Sequence, residues 1–265
     1  MHPAREMWTL FEPVHAVTYF APEARAAYEA AGLRGYWRGY FAGRAAPLGA
    51  VGPEPVVAAF FGFAPSFVAR ALPSVWSLAS PQRTLEVREE GAVAALRRVL
   101  GDADVAEAAA LLESAVDALD LGGHVLGAAH AALPRPADPL ARLWHAAGVL
   151  REHRGDGHVA ALVAHDLDGC ESLVLRASLD IPRESLQPNR GWTDEEWDAA
   201  AARLAERGVL GDAGLLASVE EATDAAAARA WRGVDTARVR EVVGPLAAAC
   251  MAHVIPAQSP IGLPQ

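Results

Sequence analysis

The stretch TDEEWDAAAARLAERGVLGDAGLL, residues 193–216, decides how this chain is read. Thr193 is followed three residues later by Glu196, a pairing in which each side chain takes up a backbone N–H left free in the first turn of a helix. Trp197, Ala201 and Leu204 then recur at helical spacing, and Gly208 stands where a left-handed C-cap belongs. The spacing predicts a helix. Beyond it, Val209-Leu210 and Leu215-Leu216 flank Gly211-Asp212-Ala213-Gly214, which predicts two short strands around a turn. A helix that runs into a small hairpin is the recognition helix and wing of a winged helix-turn-helix. Upstream, His158–Leu167 and Glu171–Ser178, separated by the breaker Asp168-Gly169, supply its other two helices.

Further towards the N-terminus the composition changes. All seven Phe, all four Tyr and three of the seven Trp fall between Trp8 and Trp76. Gly and Pro divide that segment into short predicted helices: Val14–Phe20, Pro22–Ala31, Gly35–Gly43, Pro53–Phe61 and Pro65–Leu72. Longer helices follow: one capped by Ser80 and ending at Leu100, one from about Ala103 capped by Asp102 to Leu121, and a shorter His124–Leu133. Pro134-Arg135-Pro136-Ala137 is the most linker-like stretch, placing a boundary between an aromatic-rich helical domain, residues 1–135, and a winged-helix domain with flanking C-terminal helices, residues 138–265. Asp138-Pro139 starts a helix to about His153; Val219–Trp231 and Thr236–Val254 are further helices before a Pro-rich tail. The expected fold class is mainly α, a multi-helix N-terminal domain plus a winged helix-turn-helix with a small β-hairpin wing.

Composition bounds the chemistry. The chain has 265 residues, 52% of them hydrophobic, enough for a substantial core. All 23 basic residues are arginine, so Schiff-base and P-loop lysine chemistry have no residue to use. Cys170 and Cys250 show no CxxC or metal spacing and read as core thiols of a reducing compartment. No signal peptide and no apolar run of membrane-spanning length is present, so a cytoplasmic protein is expected. No metal site and no cofactor is called for: the glycine-rich nucleotide motifs, the G-x-S-x-G elbow and H-E-x-x-H are all missing.

Several segments carry a resemblance: RAAPLG at 44–49, EHRGDGH at 152–158, RGWTDEEW at 190–197, EATD at 221–224 and SPIG at 259–262. Together they resemble an actinobacterial winged helix-turn-helix family of largely uncharacterised proteins, distantly MarR-like in the C-terminal half. The resemblance implies the winged helix and no particular activity. One departure is that Leu216–Glu220 lacks the Thr and Gly of the Leu-Thr-x-x-Gly turn that usually follows the wing.

A winged helix suggests DNA, but charge opposes it. The expected recognition helix carries Asp194, Glu195, Glu196, Asp198 and Glu206 against Arg203 and Arg207, and the chain has formal charge −10, whereas phosphate affinity comes from cations. No nucleic-acid partner is therefore expected. Two imidazoles, two carboxylates and a guanidinium lie within 152–158, with two glycines that permit a tight loop. Read as a site, the loop offers His153, Asp156 and His158 as catalytic acid–base groups. Read structurally, Gly155 and Asp156 merely cap two helices. Arg44 is an anion clamp or a helix-end cation, and Glu221 and Asp224 are a paired acid site or a solvated face. Tyr40, Phe63 and Trp192 complete the expected ligand wall. Three functions stay open: a winged-helix scaffold that has left DNA and binds, or also transforms, a small organic molecule between the aromatic domain and the 152–158 loop; a ligand-responsive MarR-like regulator; and a structural protein. The apolar stripe Val239, Val242, Val243, Leu246 predicts a homodimer.

Overall fold

One long helix is the element against which five others pack. The computed structural model describes residues 1–256. Among them are fourteen α-helices: α1 (Pro3–Phe20), α2 (Pro22–Ala30), α3 (Tyr36–Ala45), α4 (Pro53–Phe60), α5 (Pro65–Ala69), α6 (Pro81–Leu100), α7 (Ala106–Asp117), α8 (Val125–Ala131), α9 (Pro139–Ala164), α10 (Gly169–Ala177), α11 (Arg183–Leu186), α12 (Asp194–Glu206), α13 (Ala213–Ala227) and α14 (Thr236–His253). The 26-residue α9 lies against α1, α6, α7, α8 and α13.

The starts of these helices follow from local chemistry. Ser80 Oγ accepts from Arg83 N, Asp138 Oδ1 from Ala141 N, and Pro stands at the first helical position after each. Thr193 and Glu196 close both halves of the expected capping box, and Asp168 with Glu171 makes a second one at α10. Asp102 does not cap α7, which starts later, at Ala106, with Asp104 accepting its first N–H. α1 also begins earlier than the sequence suggests. It runs through Pro13, because nearly every residue of its second half is buried and packing outweighs one lost backbone bond.

Three apolar clusters make the interior. The first joins α1, α6, α7, the front half of α9 and α14, with Met7, Phe11, Leu96, Leu112, Leu143 and Val243 at its centre. The second is the aromatic segment, built on Phe41, Phe60, Phe63, Leu72 and Val75. The third belongs to the helix-turn-helix, where Leu162, Leu175, Trp197, Leu204 and Val219 meet. Residues from both sides of the expected boundary at 134–137 share the first cluster, so the packing does not part there.

Two expectations are corrected. There is no hairpin wing: Gly208 does take the left-handed C-cap, but Asp212 accepts from Gly214 N and Leu215 N and starts α13 where the second strand was expected. The 152–158 loop does not exist either. Those residues are mid-helix in α9, and Gly157 serves close approach, since a Cβ there would stand 3.3 Å from Ala226 Cβ of α13. In the stripe Val239, Val242, Val243 and Leu246, Val242 is half-buried and the other three are buried in the first cluster of the same chain. The SPIG segment at 259–262 lies outside the described residues. Among the described residues, no helix is long and apolar enough to cross a membrane.

Candidate functional site

A helix presents different faces every 3.6 residues, and α9 sorts the 152–158 residues accordingly. Arg151, Arg154, Gly155, His158 and Leu162 fall on one face and line a cleft of about 1070 Å³. His153 and Asp156 fall on the opposite face, away from it. Asp156 Oδ2 accepts from Gly127 N at 2.8 Å and so caps α8 from outside, and burial raises its pKa to about 6. His153 stacks on His124 with ring centres 3.7 Å apart, and its Nε2 lies 3.2 Å from the Asp120 carbonyl. Burial, then the His124 charge, lowers its pKa to about 4. Both residues thus hold α8 against α9.

His158 is different. Its Nδ1 lies 2.9 Å from Thr223 Oγ1, and that hydroxyl donates its own proton to the Val219 carbonyl at 2.8 Å. The oxygen can therefore only accept from His158, which places the proton on Nδ1 and leaves a lone pair on Nε2. Burial lowers the pKa of the imidazole and keeps it neutral. A neutral histidine in a fixed tautomer beside a cleft is an acceptor or base.

The rest of the cleft comes from distant segments. α1 gives Arg5, Trp8, Glu12, Tyr19 and Phe20, and α3 gives Tyr36, Trp37 and Tyr40. Facing them are Leu173 and Arg176 of α10, Arg190 of the α11–α12 turn, and Leu216 and Glu220 of α13. One wall is therefore aromatic and the other is the helix-turn-helix itself.

Arginines dominate the polar groups, and most are neutralised. Arg44 lies behind the cleft, buried, and makes a two-pronged pair with the fully buried Glu152, Nε to Oε1 at 3.0 Å and Nη2 to Oε2 at 2.9 Å. Its third N–H donates to Tyr40 Oη at 2.9 Å. Burial opposes the Glu152 charge, yet Arg151 and Arg44 outweigh it and hold its carboxyl well below the usual range. Arg151 Nη1 is 2.7 Å from Glu152 and its Nε 3.8 Å from Glu12. Asp224 receives Arg5 at 2.8 Å and Arg154 at 3.0 Å, and Arg176 pairs with Asp180 at 3.0 Å. Arg190 stands apart. It lies over the Phe63 ring at 4.7 Å and donates to the Asn189 carbonyl, but no carboxylate approaches it among the described residues. Burial, together with the Arg44 and Arg151 charges, disfavours its cation.

A helix-turn-helix family profile matches residues 4–256 of this chain. The chain belongs to that helix-turn-helix family. No curated protein and no solved structure matches it. In this helix-turn-helix protein the acids Asp194 and Asp198 at the start of α12 are exposed and bridged by Arg183, while Arg203 and Arg207, also exposed, pair with Glu171 and with Asp168 or Asp166. The cations of the third helix are thus already neutralised.

Of the residues singled out from sequence, Tyr40 and His158 line the cleft and Arg44 braces Tyr40 from behind. Phe63 is buried in the aromatic cluster, and Trp192 Nε1 donates to Gly62 O at 3.0 Å, so both seal the seam between the aromatic segment and the helix-turn-helix. Asp224 is a buried clasp for two arginines, and Glu221 is exposed. Sequence reasoning gave no role to Arg151 or Arg190 and counted Arg154 only as the guanidinium of a supposed 152–158 loop. Arg151 and Arg154 were legible as an i, i+3 pair with His158 at i+7, had 139–164 been read as one helix. Nothing local marks Arg190.

Proposed function

We propose that the chain binds a small organic anion with a planar apolar body in this cleft, and that the helix-turn-helix acts as one wall of the site instead of reading duplex DNA. The uncompensated guanidinium of Arg190 carries the reading. A half-buried cation that has only a backbone carbonyl and an aromatic ring for company is open to pairing, and a carboxylate or phosphate delivered by a ligand supplies the missing counter-charge. Around it, Tyr36, Trp37 and Tyr40 offer stacking surface, and the volume suits a small molecule. His158 Nε2 adds a fixed acceptor on the other side. The exposed acids of α12 repel phosphate and its arginines are engaged, which supports the loss of DNA binding.

The alternative is a ligand-responsive regulator. It is favoured by one observation: Arg190 sits three residues ahead of the Thr193 cap of α12, so an anion held there would bear on the third helix. Calorimetry with benzoate and phenyl phosphate distinguishes the readings from a purely structural role. Wild type is expected to bind at least one of them, and Arg190→Gln to bind at least tenfold more weakly without unfolding, because the Arg190 backbone carbonyl still accepts from Ala64 N. Equal affinity in both proteins removes the anion reading. Duplex binding tighter than about 10⁻⁶ M at about 0.15 M salt promotes the regulator.

A further inference from the structure

We propose that Tyr40 is an acid–base residue of the cleft, exchanging its phenolic proton with an oxygen of the bound anion. The proposal rests on the anion-binding reading and names the chemistry of its ligand. Tyr40 and Arg44 are one turn apart on α3, and Arg44 Nη1 donates to Tyr40 Oη at 2.9 Å. The remaining prongs of Arg44 are held by the fully buried Glu152, so that donor cannot swing away. Having accepted from arginine, the hydroxyl has its own proton left to donate. No protein group accepts it among the described residues, and the ring lines the cleft.

The other tyrosines are unlike it. Tyr19 Oη lies 3.1 Å from Nε2 of the fully buried His15, so its hydrogen-bond partner is inside the protein. Tyr36 has no guanidinium bonded to it, and Tyr28 is packed against Gly39 and Gly43. Burial pushes the phenols of Tyr19 and Tyr28 up, while Tyr36 lies exposed with no cation bonded to it among the described residues. Burial acts on Tyr40 in the same sense, but Arg44, Arg151 and Arg190 outweigh it and bring that one phenol below its usual range.

Proton transfer is most effective between groups that ionise in a similar range. The matching ligand oxygen is that of an enol or a phenol, in a molecule whose acid group Arg190 holds. In the step, the Tyr40 Oη–H bond breaks and the proton bonds to the ligand's enolate or phenolate oxygen, leaving a tyrosinate facing three guanidinium groups. The reverse step returns the proton, and no oxidant or reductant is needed.

The test starts from unliganded protein. Near-ultraviolet absorbance of tyrosinate is followed against pH in wild type, Tyr40→Phe and Arg190→Gln. Wild type is expected to show a step of one tyrosine ahead of the other three; Tyr40→Phe loses that step, and Arg190→Gln moves its midpoint to higher pH. Above the wild-type midpoint, benzoate binding should take up a proton, read by calorimetry in buffers of different ionisation heat, and Tyr40→Phe should take up none. Four tyrosines ionising together in wild type, an early step that survives in Tyr40→Phe, or benzoate binding with no proton uptake overturns the proposal. Failure of benzoate to bind at all speaks against the anion reading instead, since the titration needs no ligand.

Discussion

Asp156 and His153 sit one turn apart on α9 and titrate in opposite senses. The Asp156 carboxyl holds its proton more tightly when folded, at about 6 against 3.8, so its contribution to stability is lost as pH rises through that window. His153 and His145 are both lowered by burial from 6.5 to about 4, so their contribution is present above 6.5 and lost as pH falls towards 4. Between about pH 4 and 6 the two effects oppose each other. Asp156→Asn keeps an oxygen for Gly127 N but removes the carboxyl titration. Its stability by urea unfolding is expected to exceed wild type at neutral pH by on the order of 1–2 kcal/mol and to fall more steeply on acidification. Curves that stay parallel from pH 7 to 4 would show that Asp156 does not titrate in this window. The sequence marked these two residues as chemically able. It could not show that their partners are an α8 amide and a second imidazole 29 residues away.

At the level of elements, caps were legible and continuity was not. Thr193, Asp138 and Ser80 act within three residues, so their chemistry is written in adjacent letters, and the Asp168–Glu171 box, read as a breaker, is of the same local kind. The glycines in α9 misled because a glycine that ends a helix and one that lets two helices touch look alike in sequence. Gly169 is the second kind. A Cβ there would stand 2.0 Å from the Phe61 carbonyl oxygen, at a residue whose own φ is 33°. Helix propensity alone says that Gly169→Ala stabilises the start of α10 by up to about 1 kcal/mol. The contact with backbone says the reverse, and a loss of about 1–3 kcal/mol is expected, with the seam between Phe61–Ala64 and the helix-turn-helix loosened. Thermal melting decides by the sign alone.

At the scale of the molecule, α9 places its front half in the first cluster and Ala161 and Leu162 in the third. A fragment of residues 138–265 therefore leaves Leu143, Trp144 and Val243 without α1, α6 and α7. Such a fragment is expected to lose native near-ultraviolet dichroism, and a cooperative melt at the wild-type temperature would mean that the C-terminal half folds independently. The same arrangement explains the cleft: helices from both ends of the chain close around one face of α9.

A mainly helical chain, the starts of α6, α9, α12 and α14, the helix-turn-helix and the acidity of its third helix were all legible in the sequence. Each rests on neighbours three or four residues apart or on plain charge. That 152–158 is helix, that it splits into a cleft face and a packing face, and which arginines have partners follow instead from how the helices pack. Arg44 meets Glu152 across 108 residues and Arg154 meets Asp224 across 70, whereas Arg190 meets no carboxylate among the described residues. Pairing of that kind depends on where distant helices dock, and docking is set by the summed burial of three apolar clusters rather than by any local pattern.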